Sequence, residues 1–117
     1  MHNFKELKIW QKSVDFAVDI YKLTQMLPKE ERYSLVSQMR RAVVSISSNI
    51  AEGTGRRTDK DFNSYLVNSL GSCFELETQL IISKRLKYIE EADFNSSSLS
   101  LREIQKMIVG LQKTLKG

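Results

Sequence analysis

The chain has 117 residues and a formal net charge of +4, from 18 Lys and Arg against 14 Asp and Glu. This length suits a single domain over residues 1–117, and a hydrophobic content of 41% excludes a disordered chain. With one Pro and five Gly the chain has too few turn residues for a sandwich of many short strands, so the composition favours long helices.

The first predicted helix begins at a capping box. Asn3 and Glu6 have the spacing at which each side chain caps the other's backbone, and the helix is expected to run to about Met26. Pro28 ends it, because proline lacks an N–H and restricts the residue before it. Two apolar stripes indicate burial on two sides. They are Leu7, Trp10, Val14, Ala17 and Tyr21, and Phe16, Ile20, Leu23 and Leu27.

The second predicted helix is the least ordinary part of the chain. A charged connector over 29–33 precedes it, Ser34 or Ser37 caps it, and it ends at Glu52, with Gly53 as a left-handed C-cap and 54–57 as an exposed turn. Its apolar stripe predicts the core, and its polar stripe predicts a seam that sets helix register or faces another subunit. The apolar stripe is Leu35, Met39, Ala42, Val43, Ile46 and Ile50, and the polar stripe is Gln38, Arg41, Ser45, Ser48 and Glu52.

Two further helices complete the predicted fold. Thr58 caps a third helix that runs to about Arg85, and a turn over 86–93 follows it. Several residues of the polar stretch 93–98 could cap the last helix, and Ser100 with Glu103 forms the strongest capping box. Because the connections are short, neighbouring helices should be antiparallel, which gives an all-α, up-down-up-down four-helix bundle. The third helix has a buried stripe of Phe62, Leu66, Ser69, Cys73, Leu76 and Leu80, and a patch of small residues (Ser69, Gly71, Ser72) that lets a neighbouring helix come close.

The residue types that carry most catalysis and metal binding are scarce. His2 is the only histidine and Cys73 the only cysteine, and Cys73 lies in an apolar periodic segment typical of a core residue. We therefore predict no enzyme activity, no catalytic residue, no metal site and no cofactor. No apolar run reaches the roughly 20 residues that span a bilayer, and no apolar signal core is present, so a cytoplasmic location without membrane contact is the expectation.

Glu77 is the carboxylate with two competing interpretations. It falls on the partly apolar side of the third helix, where an unpaired buried charge would be costly. One interpretation pairs it with Arg41 or Asn49 across the bundle to fix register, and the other makes it a titratable functional acid. We favour pairing, because neither a histidine nor a second catalytic acid stands at a clear spacing.

A basic turn follows the second helix. Arg56, Arg57 and Lys60 cluster at one end of the bundle, and Arg40 leads toward them along the second helix. These side chains either form a solvated surface or contact nucleic-acid phosphates without reading sequence. Aromatic residues are not interleaved with them, so the sequence offers no platform on which bases would stack.

One known family resembles this chain over almost its whole length. The run SQMRRAVVSISSNIAEGTGR, preceded by FKELKIWQKS and followed by GSCFELETQL, resembles the four-helix bundle proteins encoded in intervening sequences of 23S ribosomal RNA genes, also called the S23 ribosomal protein family. The resemblance implies ring-like homopentamers without an established enzymatic activity. It also implies a relation to the accessory proteins of diversity-generating retroelements, which are basic pentamers that bind nucleic acid and a reverse transcriptase. The family's characteristic polar residues fall here on Arg41, Asn49, Glu52, Gly53 and Glu77.

The combined expectation is a non-enzymatic, homo-oligomeric helical adaptor, with the pentamer as the leading assembly. Its basic residues would contact RNA or DNA, or a protein partner such as a reverse transcriptase. The alternative is a structural or protein–protein interaction module that does not bind nucleic acid.

Overall fold

The computed structural model describes residues 3–116 and contains four α-helices joined by short turns. The helices are α1 (Lys8–Thr24), α2 (Leu35–Thr54), α3 (Asp59–Arg85) and α4 (Glu91–Thr114), with 3-10 helices at Phe4–Glu6 and Lys29–Glu31. Consecutive helices run antiparallel, and residues 3–116 contain no β-strand. The predicted all-α, up-down-up-down four-helix bundle is confirmed.

The core runs the length of the bundle and takes side chains from all four helices. The predicted stripe of α3 is buried in full, and that of α2 is buried except for the half-buried Leu35. Each fully buried Ile or Leu stabilises the fold by about 1.5–3 kcal/mol relative to an exposed one. Large side chains without measurable exposure are Ile20, Met39, Ile46, Ile50, Leu66, Leu76, Leu80 and Ile108.

Small polar residues allow α2 and α3 to lie close together. The Ser69 hydroxyl donates to the Ile46 carbonyl oxygen at 2.9 Å, and the Ser72 hydroxyl to the Ser45 hydroxyl at 2.9 Å. Both bonds satisfy polar groups at a close helix contact, as the small-residue patch predicted. Gly71 takes no part in this contact, since a Cβ added there would meet no atom within 4 Å.

The first helix begins later than predicted. Asn3 does act as a cap, accepting from the Lys5 N–H at 3.2 Å, but it caps the 3-10 helix Phe4–Glu6. Leu7 is extended, with φ −76° and ψ 125°, so α1 starts only at Lys8 and ends at Thr24, short of the predicted Met26. The Phe4 ring packs edge-on against Trp10, with 5.1 Å between centroids, and this contact connects the 3-10 helix to α1.

The two apolar stripes of α1 are both accommodated largely within one chain. Phe16, Ile20, Leu23 and Leu27 are in the core, as one stripe predicted. In the other stripe Trp10 and Ala17 pack at the edge of the core, and only Tyr21 is exposed. The double stripe of α1 therefore does not by itself require a second subunit.

Gly53 is not the predicted left-handed C-cap. α2 continues through Thr54, and Gly55 follows it with φ −86°. Gly53 is a buried helical residue, and a Cβ added there would lie 2.7 Å from Cδ1 of Phe62 and 3.1 Å from Cβ of Tyr65. The residue is Gly because α3 crosses α2 too closely for any side chain. Thr54, predicted in an exposed turn, is also buried.

The start of α4 also differs from the prediction. The helix begins at Glu91, so the polar stretch 93–98, expected to cap it, lies inside the helix, as does the predicted Ser100–Glu103 box. Phe94 packs against the core and Leu101, seven residues later, is buried on the same side of the helix. Packing of this face outweighs the weak helix propensity of Asn and Ser, which local sequence signals alone do not capture.

Candidate functional site

The basic turn between α2 and α3 is exposed and carries three positive side chains. The guanidinium of Arg56 lies 4.5 Å from the ring centroid of Tyr65 and 3.8 Å from the Glu52 carboxylate. These two contacts hold it in place, since cation–π and i,i+4 ion pairs each favour one orientation. Arg57 and Lys60 are exposed, and within residues 3–116 their side chains form no ion pair.

The antiparallel topology brings both ends of the described chain to this turn. The backbone N–H of Lys116 donates to the Asp59 carboxylate at 2.9 Å, and Gln112 donates to Asn63 at 2.9 Å, which places the last turn of α4 beside the first turn of α3. The N-terminal 3-10 helix contacts α2. The basic end, as we call it, has seven cations (Lys5, Lys8, Arg56, Arg57, Lys60, Lys113, Lys116) and four carboxylates (Glu6, Glu52, Asp59, Asp61).

Arg40 does not belong to the basic end, contrary to the prediction. The segment of α2 from Arg40 to Thr54 spans about 20 Å, so Arg40 lies toward the opposite end of the bundle. There its Nε donates to the Thr24 hydroxyl at 2.9 Å and its Nη2 to the Tyr21 carbonyl oxygen at 3.3 Å. Its guanidinium covers the Tyr21 ring at 4.6 Å. Arg40 thus satisfies the last turn of α1, a role that C-terminal helix carbonyls favour for cations.

The polar residues Arg41, Asn49, Glu52 and Glu77 do not form one network within the chain. Glu77 is exposed and accepts from Gln105 of α4 at 3.0 Å, so its predicted pairing with Arg41 or Asn49 is wrong for the single chain. Asn49 instead donates to the Ser45 carbonyl and hydroxyl oxygens, at 2.8 and 3.0 Å. The error arose because the side of α3 that carries Glu77 faces α4, not α2.

A polar groove lies on the outside of the bundle, along the line where α2 and α3 meet. It has a volume of about 350 Å³, and its lining includes Arg41, Ser45, Glu75 and Gln79. Gln79 is buried, and its Oε1 is the one buried side-chain oxygen or nitrogen among residues 3–116 without a hydrogen-bond partner. Three residues of the predicted polar stripe of α2 line this groove, namely Gln38, Arg41 and Ser45. Within residues 3–116 the charges of Arg41 and Glu75 form no ion pair.

An apolar stripe on α3 is open to solvent. Val67, Phe74 and Ile81 recur every seven residues, which places them on one face of the helix, and they are 52%, 57% and 37% exposed. A phenyl ring more than half exposed in the middle of a long helix is an exposed apolar feature of the kind that marks interaction surfaces. We call these three residues the α3 stripe.

Cys73 has the environment of an inert core thiol. It is fully buried, and burial, reinforced by the negative charge of Glu77, raises its pKa to about 12. The thiol therefore stays protonated at neutral pH and is a poor nucleophile. No three His, Cys, Asp or Glu side chains within residues 3–116 are grouped to hold a metal ion, and His2 lies outside the described residues.

Besides Tyr21 under Arg40, two further tyrosines accompany arginines, although the sequence suggested no such platform. Tyr65 lies under Arg56 from the neighbouring helix, and Tyr33 lies beside Arg32 with 5.6 Å between the guanidinium and the ring. The adjacency of Arg32 and Tyr33 in the chain was a visible signal for the second pair. The first pair is formed only by folding. No helix within the described chain is long and apolar enough to cross a membrane.

Comparisons with known proteins agree with this architecture. A profile of the family described as 23S rRNA-intervening sequence protein matches residues 5–110. None of the curated proteins matches the chain. A similar crystal structure is that of a protein with unknown function from the S23 ribosomal protein family of Bacteroides thetaiotaomicron VPI-5482. It is 29% identical in sequence, the match covers 90% of this chain and 98% of that chain, and the TM-score is 0.83. The chain therefore belongs to the 23S rRNA-intervening sequence protein family.

Proposed function

We propose that this protein is a non-enzymatic, homo-oligomeric helical adaptor that contacts nucleic-acid phosphates through its basic end. One observation carries the proposal: within residues 3–116, seven basic side chains lie together at one end of the bundle, where only four carboxylates accompany them. These basic side chains come from both ends of the described chain and from the region of the α2–α3 turn. Lys and Arg contacts to phosphate supply most of the sequence-independent affinity for nucleic acid.

Arg56 and its neighbours suit this role for different reasons. Because Arg56 is already held by Tyr65 and Glu52, it loses less side-chain entropy when it meets a phosphate. Arg57 and Lys60 are free of ion pairs within the described chain, so no internal contact has to break before they bind. Neither the family nor the similar structure is described by an enzymatic activity, which agrees with an adaptor.

We further propose that copies of the chain associate through the α3 stripe. The assembly that we propose first is a homopentamer. Burying Val67, Phe74 and Ile81 against a second copy would remove three large apolar side chains from water. Gly71 lies on the same side of α3 with no atom near its Cβ position, so a helix from another copy can approach closely there. A ring of such subunits would present several basic ends together, and multivalency would raise the overall affinity.

The salt dependence of binding tests the contact with phosphates. Affinity for a structured RNA and for duplex DNA is measured over a range of salt concentrations, for the natural chain and for the triple variant Arg56→Gln, Arg57→Gln, Lys60→Gln. Each lost phosphate contact should lower the slope of log affinity against log salt by about one, so the triple variant should lose up to about three.

A second triple variant controls for net charge. Lys22→Gln, Arg102→Gln and Lys106→Gln remove the same charge from exposed sites on α1 and α4, and the slope should stay near that of the natural chain. Equal slopes for all three proteins would contradict contact at the basic turn. No binding of the natural chain to either nucleic acid at low salt would favour the alternative, an interaction module without nucleic-acid affinity.

A further inference from the structure

A second positive surface lies at the end of the bundle opposite the basic end. The C-terminus of α1, the connector 25–34 and the first turns of α2 enclose an open cleft of about 510 Å³, within the range of about 300–1,000 Å³ typical of small-ligand sites. Three cations line it, namely Lys29, Arg32 and Arg40, together with Tyr33, and no carboxylate does. We call it the Tyr33 cleft.

Arg40 gives this cleft a fixed positive group. Its bonds to Thr24 and to the Tyr21 carbonyl, and its stacking on the Tyr21 ring, hold the guanidinium at the cleft wall. A guanidinium has more N–H donors than these two bonds use, so donors remain for a ligand. An arginine positioned in this way before binding is suited to a phosphate oxygen.

Tyr33 gives the same cleft a flat aromatic surface. The residue is 87% exposed, and the guanidinium of Arg32 lies 5.6 Å from its ring centroid. Most of the ring is therefore in contact with water and accessible to a ligand that stacks on it. A nucleobase stacked on such a ring contributes to binding whatever its identity, because every base has a π-face.

The acidic residues of the connector leave the cleft positive. The Glu31 carboxylate accepts from the Ser34 hydroxyl at 2.7 Å and from the Tyr88 hydroxyl at 2.9 Å, so it is engaged by the turn before α4. Glu30 is exposed and does not line the cleft. The depressions between α1 and α4 differ, since they include the carboxylates of Asp19 and Asp93.

We propose that the Tyr33 cleft binds one nucleotide unit of a single-stranded nucleic acid, with the base stacked on Tyr33 and the phosphate held by Arg40 and Lys29. The inference shares its ligand class with the proposed function but rests on different residues at the other end of the molecule. It adds a preference for unpaired strands, because a base within a duplex cannot leave the stack to reach Tyr33 without cost. The exposed ring favours a nucleotide over an acidic peptide, which would use only the charges.

Binding of labelled oligonucleotides tests the inference on the full chain. Fluorescence anisotropy is measured with a single-stranded RNA of about 12 nucleotides, close to the site sizes of single-strand binders, and with the duplex of the same sequence. Tyr33→Ala should weaken single-strand binding about 5- to 100-fold, the loss expected for one stacked base, and should change duplex binding less than about twofold. Tyr33→Phe keeps the ring and should retain affinity within about twofold.

Further experiments test the contribution of positive charge, the preference for a strand over a free nucleotide, and competition by an acidic peptide. Lys29→Gln should lower the salt slope for the single strand, whereas Lys106→Gln on the outside of α4 should not. Adenosine monophosphate in excess should compete for the cleft only weakly if the strand, not the free nucleotide, is the ligand. A glutamate oligopeptide that displaced the RNA equally well from the natural chain and from Tyr33→Ala would overturn the assignment.

The outcomes distinguish this inference from the proposed function. Equal affinity of the natural chain and Tyr33→Ala for the single strand overturns the Tyr33 cleft as a site, even if duplex binding still depends on Arg56, Arg57 and Lys60. Single-strand binding that is lost with Tyr33→Ala supports the cleft. A salt slope for duplex DNA and structured RNA that is unchanged in the basic-turn triple variant would separately refute phosphate contact at the basic end. Since Tyr33 is almost fully exposed, circular dichroism should show both Tyr33 variants folded.

Discussion

Replacing Gly53 by Ala tests the close contact between α2 and α3. In an exposed helix interior this change is favourable by about 0.8–1.0 kcal/mol, because Ala has the higher helix propensity. At Gly53 the new Cβ would lie 2.7 Å from Cδ1 and 3.0 Å from Cε1 of Phe62, and 3.1 Å from Cβ of Tyr65. Phe62 is itself buried, and the Tyr65 Cβ is fixed by the backbone of α3. Neither neighbour can move aside cheaply.

The expected net effect is destabilising. Overpacking a closely packed site costs about 1–3 kcal/mol, which exceeds or cancels the gain in propensity. Gly110→Ala is the matched control, since Gly110 is an exposed residue of α4 with no atom within 4 Å of its Cβ position. We expect Gly110→Ala to raise the free energy of unfolding by about 0.5–1 kcal/mol and Gly53→Ala to lower it by up to about 2 kcal/mol.

Urea unfolding followed by circular dichroism measures the difference, at one protein concentration because association would shift the apparent stability. Phe62→Leu, combined with Gly53→Ala, should recover part of the loss, since the smaller side chain leaves room for the Cβ. If Gly53→Ala proved as stabilising as Gly110→Ala, the close approach of α2 and α3 at Gly53 would be refuted.

Three further predictions concern pH and the end of α1. Because the folded pKa of Cys73 is raised from 9.0 to about 12, the unfolded thiol ionises first, and stability should fall as pH rises above 9. Cys73→Ala should make this fall shallower, and an unchanged fall would contradict the assignment. Hydrogen bonds from Ser34 and Tyr88 lower the pKa of Glu31, so its contribution is present above its ordinary pKa of 4.5 and is lost as pH falls through the lowered value. Glu31→Gln should flatten that acid limb of a stability–pH curve, and an unchanged limb would contradict the assignment. Arg40→Gln should lower the free energy of unfolding by about 1–2 kcal/mol, measured with urea. It should also speed amide exchange in the last turn of α1, and exchange there that is no faster than in the natural chain would argue against the capping role of Arg40.

The sequence was most informative where local and tertiary signals agree. In α3 the Thr58 cap and the acidic first turn mark the same start as the apolar stripe, and both bounds were predicted correctly. The Thr58 hydroxyl accepts from the Asp61 N–H at 3.1 Å, which is the bond that this spacing predicts. The buried face of α2 was also predicted correctly, because its apolar residues recur at helical spacing.

The failures have tertiary causes. Gly53 carries a local C-cap signal, but its reason for being Gly is a phenyl ring on another helix. The Ser-rich start of α4 looks like a linker until Phe94 and Leu101 are seen to share a buried face. Arg40 was grouped with the basic turn, and Glu77 was paired with Arg41 or Asn49, because a sequence shows which face of a helix is polar but not what that face meets.

We propose that copies of the chain assemble through the α3 stripe, and the mass of the protein in solution reports this association. Multi-angle light scattering of the natural chain should give a mass several times 13.5 kDa, with five times that value for the pentamer. Phe74→Asp, at a position 57% exposed in the single chain, should leave helix content unchanged and reduce the mass toward 13.5 kDa. Association through the α3 stripe would be contradicted by a monomer mass for the natural chain at micromolar concentration. It would also be contradicted by a Phe74→Asp variant that keeps the full mass of the assembly.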